Sequence, residues 1–287
     1  MGALVDAWRA RGTDRTLCGE RVFTLEVPAT GPETSAPLLV LHGFPTSSFD
    51  FRRVVDALAV DRRVVLFDYL GFGLSAKPDR PYRLVDQADL AVELCADLGL
   101  DRIGLLSHDI GDTIGGELLA RQLEGSWGVE VTDRVLTNGS VFMDLVQLTD
   151  GQRFLEALPD ERLDPGVLDR DGVLAGLTGT FAPGADVAGE ELDADWELIS
   201  AEGGERLLAR LARYIAERRR HESRWTPPLV DHPSPLTVVW GAEDPIARPA
   251  MAERLAAARA DAKVTVLDGV GHYPMVEAPD RFLDALG

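Results

Sequence analysis

The feature that most restricts what this chain can fold into is a series of short, continuous apolar runs, each closing on a polar or small residue. Residues 37–41 end in His42-Gly43, Val64–Phe67 in Asp68-Tyr69, and residues 103–107 in His108-Asp109. Runs this short, with no polar alternation, read as strands buried on both faces. Residues 135–138, 237–240 and 264–267 repeat the pattern, and residues 22–27 alternate apolar and polar side chains as a half-buried strand does. Between these runs the spacing changes. Residues 83–98 bring Leu84, Ala88, Ala91, Leu94 and Cys95 to one side of a helix, a second helix covers Ile110–Leu123, and a last one holds Phe282 and Leu283. Strands alternating with helices predict an α/β fold with a mostly parallel sheet covered on both faces. In such a sheet the ligand sits beyond the carboxyl ends of the strands.

Residues 141–229 break the alternation. Their pattern is helical, clearest over residues 206–219, and is interrupted by a Gly/Pro-rich stretch at residues 176–189. The chain leaves the sheet for this excursion directly after a strand end. The expected organisation is therefore a core built from residues 1–140 and 230–287, with a helical cap at residues 141–229 folded over the strand ends.

A chain of 287 residues can bury a large core, and 45% hydrophobic with 27% charged residues is the balance of a globular protein, not a disordered one. The formal charge of -19 repels nucleic acid and anionic membrane, so neither is expected as a partner. It favours a small, neutral, apolar substrate, with water as the second reactant. Cys18 and Cys95 stand far apart with no metal-ligand spacing and are expected to be small buried hydrophobes. No early segment pairs basic residues with a long apolar run, so a cytoplasmic protein, monomeric or homodimeric, is expected, with neither metal nor cofactor.

The chemistry concentrates at the strand ends. Leu106-Ser107-His108-Asp109-Ile110-Gly111 lies where a buried strand turns abruptly into a helix. At such a corner the central side chain is pushed out above the sheet, and small residues are needed two before and two after it. Ser107 and Gly111 meet that demand only with Asp109 at the centre. The slot for a nucleophile therefore holds a carboxylate, and Asp112 in the first turn is the residue suited to complementing the helix dipole. Gly271-His272-Tyr273-Pro274 follows the last strand, making His272 the expected general base. Glu243-Asp244 follows the strand before it; Asp244 is the expected partner of His272, with Glu243 adjacent as a competitor. His42-Gly43-Phe44-Pro45 follows residues 37–41, so the backbone N–H groups of Phe44 and Ile110 are expected to form an oxyanion hole. His42 and His108 are structural at these corners and border the substrate pocket with Pro45.

These segments, with Asp68-Tyr69-Leu70-Gly71-Phe72-Gly73-Leu74-Ser75, resemble the epoxide hydrolase and haloalkane dehalogenase branch of the α/β-hydrolases. Ser107 to Asp112, Leu136-Thr137-Asn138-Gly139, Tyr214-Ile215 through Arg218-Arg219-Arg220, Arg224-Trp225 and His272-Tyr273-Pro274 are most similar to its mesoderm-specific-transcript-like members. The resemblance covers most of the chain from about Leu38 onward and is weakest between Asp150 and Gly204. It implies an α/β-hydrolase fold with a helical cap and an aspartate nucleophile.

A free aspartic acid, with a pKa of about 3.9, is ionised at neutral pH and needs no base to activate it. Attack on a saturated carbon yields an alkyl ester, a stable intermediate that base-activated water then hydrolyses. Dehalogenases of the resembled branch carry a Trp directly after the nucleophile to hold the halide; here Ile110 stands there, leaving Trp196 and Trp225 as halide contacts. Epoxide hydrolases of the branch use cap tyrosines to protonate the leaving oxygen. Tyr214 is the one tyrosine of residues 141–229 and His221 the one histidine; either is a candidate acid, and Trp225 and His221 are placed at the pocket. The sequence points to epoxide hydrolysis through a covalent ester, with haloalkane dehalogenation or a ligand-binding pseudo-hydrolase as alternatives.

Overall fold

The structure, a computed structural model, describes residues 2–287. Eight strands form one sheet: β1 (Thr13–Leu17), β2 (Glu20–Val27), β3 (Leu38–Leu41), β4 (Val64–Phe67), β5 (Arg102–His108), β6 (Glu130–Thr137), β7 (Leu236–Gly241) and β8 (Lys263–Leu267). Their order is β1-β2-β4-β3-β5-β6-β7-β8. β1 with β2 and β2 with β4 are antiparallel, and every other neighbour pair is parallel. The apolar runs occupy the middle of this order: every residue of β3 and β4 is buried, and β5 is buried from Ile103 onward. Burial on both faces is the reason these strands carry no polar alternation.

The helices are α1 (Ala3–Arg11), α2 (Val55–Leu58), α3 (Leu84–Asp97), α4 (Ile110–Leu123), α5 (Asp150–Ala157), α6 (Arg170–Thr178), α7 (Gly189–Ser200), α8 (Leu208–Leu211), α9 (Tyr214–Asp231), α10 (Ala250–Ala258), α11 (Pro274–Glu277) and α12 (Pro279–Leu286). α3 places Leu84, Ala88, Ala91, Leu94 and Cys95 in the core, the side its spacing predicts. Between β6 and β7 the described chain has helices, turns and loops but no strand, and this stretch holds α5 to α9.

Three expectations need correction. The clearest helical stretch, residues 206–219, is not one helix. A 3-10 segment, Ala201–Leu207, precedes α8, with Glu202 and Gly203 in left-handed conformation (φ 55° and 73°), and a new helix begins at Tyr214. A run of helix-forming side chains does not reveal such a break, because the backbone turn sits on a single glycine and its neighbour. α1 and β1 precede the first expected strand. β1 is an edge strand, polar and largely exposed, so no apolar pattern marks it. Cys18, expected to be buried, is exposed at the β1–β2 turn with φ 50°, whereas Cys95 is buried.

Candidate active site

β5 and α4 meet at Asp109. The residue caps α4 with φ 51° and ψ -112°, a conformation that costs a non-glycine residue on the order of 1–3 kcal/mol and is held by the packing around it. Gly111 shows why the corner demands small residues. A Cβ there would lie 2.5 Å from the carbonyl oxygen of Leu41 on β3. The turn leaves the Asp109 carboxylate at the floor of a cavity of about 250 Å³, although the side chain is only 3% exposed. Its Oδ2 accepts the backbone N–H of Phe44 at 2.9 Å. One of the two donors expected of an oxyanion hole therefore lies within hydrogen-bond distance of the side chain at the corner; Ile110, the other, opens α4 directly beside it.

His272 follows β8 and lines the same cavity. Its Nδ1 lies 2.7 Å from Asp244 Oδ2. Burial alone would lower this imidazole, but the charge and hydrogen bond of Asp244, followed by Asp109 and Glu277, push it up to about 9. Asp244 is buried and doubly anchored: Oδ1 accepts the N–H groups of Ile246 (2.7 Å) and Ala247 (3.0 Å), and Oδ2 also accepts the Asn138 amide at 2.6 Å. Glu243 is exposed, so the adjacent carboxylates separate cleanly and Asp244 is the one beside the histidine.

The cavity wall is shared between core and insertion. Phe44, Pro45, Ile246 and Tyr273 contribute from the core, and Gln152, Leu155, Val173, Leu177, Thr180 and Leu208 from residues 141–229. Residues 141–229 touch the loop that carries His272 directly, because the carbonyl of Thr180 accepts the backbone N–H of His272 at 3.0 Å. The lining is mostly apolar, which suits a neutral substrate.

Other expected site residues lie elsewhere. Trp225 is buried against α4 and donates its indole N–H to Glu117 at 2.8 Å, so it does not line the cavity. His221 is half-buried and packs on Trp225, with ring centroids 5.0 Å apart, also off the cavity. Both fall on the side of α9 that packs against α4, a distinction the sequence of a highly charged helix does not make. His42 and His108 are buried behind the corner and are corrected likewise from pocket to framework. His42 donates Nδ1–H to the Gly43 carbonyl (2.8 Å) and accepts the Tyr69 N–H at Nε2 (3.1 Å); burial pushes it down to about 4, so it is neutral. His108, lowered by burial, donates Nε2–H to the His272 carbonyl at 2.8 Å and so fixes the loop that carries His272. Tyr214 is buried one layer behind the wall; its hydroxyl accepts the amide of Gln152, which does line the cavity, at 3.1 Å.

Three residues escaped the sequence reading. Asn138 directly follows β6 in left-handed conformation (φ 49°), and the sequence offers it only as part of a segment shared with the resembled family. Gln152 carried no signal. Arg218 is 5% exposed and sits 3.9 Å from Asp109, Nη2 to Oδ1. Its signal was its place four residues after Tyr214, on the same face of α9.

Comparison with known proteins gives a consistent family. Residues 38–285 match the sequence model of the Alpha/beta hydrolase family. LipZ of Mycobacterium tuberculosis is 37% identical over 283 residues, covering 98% of this chain and 96% of that protein. The mesoderm-specific transcript protein of Mus musculus is 33% identical, covering 99% of this chain and 87% of its own length. Among solved structures, haloalkane dehalogenase DbeA from Bradyrhizobium elkani has a TM-score of 0.76 at 22% identity, covering 96% of this chain and 95% of that one. At that identity the likeness shows the fold alone.

Proposed function

We propose, from the premise that this chain belongs to the alpha/beta hydrolase family, that it hydrolyses an epoxide through a covalent ester on Asp109. The observation that carries this reading is the identity of the corner residue. A carboxylate, not a hydroxyl, caps α4 at φ 51°, opens on an apolar cavity and shares that cavity with His272.

In the first step a lone pair of Asp109 Oδ1 forms a bond to an epoxide carbon, and the C–O bond on the opposite side of that carbon breaks. The ring oxygen leaves as an alkoxide and takes a proton. Tyr214 is the candidate donor: its hydroxyl accepts from Gln152 and keeps its own proton, and Gln152, which separates it from the cavity, must turn aside for that proton to reach the ring oxygen. In the second step His272 takes a proton from water, and the hydroxide attacks the ester carbonyl carbon of Asp109. The charge that develops on Oδ2 is met by the Phe44 N–H, with Ile110 as the second donor. Collapse of that intermediate expels the diol's alkoxide, which takes the proton held by His272, and the carboxyl formed on Asp109 returns its proton to the Tyr214 phenolate, so that a vicinal diol leaves and all three groups are restored.

Haloalkane dehalogenation shares the first half of this scheme but needs donors for the halide. Ile110 has none, and the Trp225 indole is committed to Glu117 outside the cavity. The test is turnover of wild type and Asp109→Ala on a panel of terminal and disubstituted epoxides and small haloalkanes, with intact mass of acid-quenched protein. The expected result is diol from at least one epoxide, an adduct on wild type that is absent from Asp109→Ala, and no halide release. Tight binding without adduct or diol would leave a ligand-binding pseudo-hydrolase, and an adduct with halide release would make it a dehalogenase.

A further inference from the structure

The two oxygens of Asp109 have unequal surroundings. Oδ2 is held by the Phe44 N–H, whereas Oδ1 faces the guanidinium of Arg218, with Nη2 3.9 Å away. Arg218 is buried in α9, and Nη2 has no hydrogen-bond partner. Its plane is fixed from the other end: Nε donates to Thr113 Oγ1 in the first turn of α4 at 2.9 Å, and the guanidinium carbon lies 5.0 Å from the centre of the Tyr214 ring. A buried cation with an open donor, locked in orientation and aimed at one oxygen of one carboxylate, is costly as mere packing.

We propose that Arg218 is a positioning residue for Asp109: together with the Phe44 N–H on Oδ2 it fixes the rotation of the carboxylate, and it supplies a permanent counter-charge. This rests on the ester-forming reading above. The 3.9 Å separation matters for the chemistry. A hydrogen bond of full length would take one of the two lone pairs of Oδ1 and draw charge from the attacking oxygen, while a guanidinium just beyond that distance attracts the carboxylate and leaves both pairs open. Arg218 gives up no proton in either step, since an arginine keeps its charge in proteins.

A second cation stands near Asp109, namely His272, but its task conflicts with that of a counter-ion. It must be neutral to take a proton from water, and a carboxylate that depended on imidazolium for its charge balance would hold the base in the wrong state. A permanent guanidinium removes the conflict. Asp112, the other acid in the first turn of α4, has a different environment. Burial pushes its carboxyl well up; the Ser107 hydroxyl, which donates to it, pulls it down, Asp109 pushes it up and Arg218 pulls it down. Of the two acids, Asp109 is the one that lines the cavity and has an oxygen 3.9 Å from the guanidinium.

The test separates the half-reactions. Ester formation is followed with styrene oxide by acid quench and intact mass, and ester hydrolysis by diluting pre-formed adduct and watching it decay. Arg218→Gln is expected to slow ester formation by about tenfold or more, roughly 1.4 kcal/mol, and to change ester decay by less than about threefold. Arg218→Lys, which keeps the charge and loses the planar fork, is expected to recover most of the rate, and Thr113→Val, which keeps the cation and frees its orientation, to fall between. A wild type that forms no adduct overturns both the ester reading and this role. A wild type that forms adduct alongside an Arg218→Gln variant that forms it equally fast overturns this role alone. Equal slowing of both steps in Arg218→Gln and Arg218→Lys, with lowered melting temperature, makes Arg218 a structural bridge and also overturns it. Should Arg218→Gln not fold, Arg218→Lys and Thr113→Val decide by the same two rates.

Discussion

Asn138 donates its amide to Asp244 at 2.6 Å, on the same Oδ2 that faces His272. The asparagine oxygen in turn accepts the Gly241 N–H at 3.0 Å, so one side chain ties the end of β6 to the end of β7. Asn138→Ala removes both bonds and leaves a buried N–H unpaired. Stability is expected to fall by about 1–3 kcal/mol. Turnover is expected to fall by about tenfold through a looser Asp244–His272 pair. Urea unfolding and steady-state kinetics measure the two effects; unchanged kcat would show that the backbone donors of Ile246 and Ala247 suffice to place Asp244.

The state of His272 sets the pH dependence. With Asp244 and Asp109 pushing it up to about 9, the imidazole is protonated in the resting protein at neutral pH. Ester formation removes the Asp109 charge, one of the groups that raises it, and so shifts the base toward its neutral form when it is needed. The neutral fraction grows as pH rises toward about 9, so ester decay is expected to accelerate with pH across the neutral range. Single-turnover decay of the adduct against pH reads this directly. A decay rate that is flat from neutral to alkaline pH would contradict it.

Trp225 separates a packing role from a halide role. Glu117 is buried, and burial would raise its carboxyl. Hydrogen bonds from Arg224, Arg121 and Trp225 more than offset that and hold it below the usual range. Trp225→Phe keeps most of the apolar volume and deletes one donor to this carboxylate. The expected outcome is a loss of about 1–2 kcal/mol in stability, with ester formation within about threefold of wild type. A selective loss of ester formation with no loss of stability would return the indole to the cavity.

The parts of this site that were legible in sequence share a physical cause. Asp109, Asp244, His272 and Phe44 each follow an apolar run, and buried parallel strands deliver whatever follows them to one edge of the sheet. Periodicity therefore encodes their meeting place, although they are far apart in the chain. α9 is different. Tyr214, Arg218, His221 and Trp225 lie on a helix whose composition is dominated by charge, and which of its faces meets α4, Asp109 or solvent depends on how the insertion docks. No local pattern records a docking angle, so the sequence places Trp225 and His221 at a cavity they do not line and assigns Arg218 no role of its own.

The same insertion contains a pH-sensitive contact with the core. Asp195 on α7 is 6% exposed, and its Oδ1 has no hydrogen-bond partner. Burial pushes its carboxyl up to about 7; Arg52 pulls it down and Glu191 pushes it up. The unfolded chain releases that proton near 3.8. Between these two values the folded protein holds a proton that the unfolded chain has lost, so this group's contribution to stability falls as pH rises from about 4 to about 7. Above that window the folded state carries a buried, poorly partnered carboxylate. Asp195→Asn removes the charge and keeps the shape. It is expected to add on the order of 1–3 kcal/mol of stability near pH 8 and little near pH 4, where folded and unfolded wild type hold nearly the same number of protons on this group. Urea unfolding of both proteins at the two pH values decides it. A gain of equal size at both would mean that the amide adds a hydrogen bond of its own, and a loss at the higher pH would mean that the ionised carboxylate is well paired, with Arg52 the residue to examine, since its Nη2 is also buried without a partner.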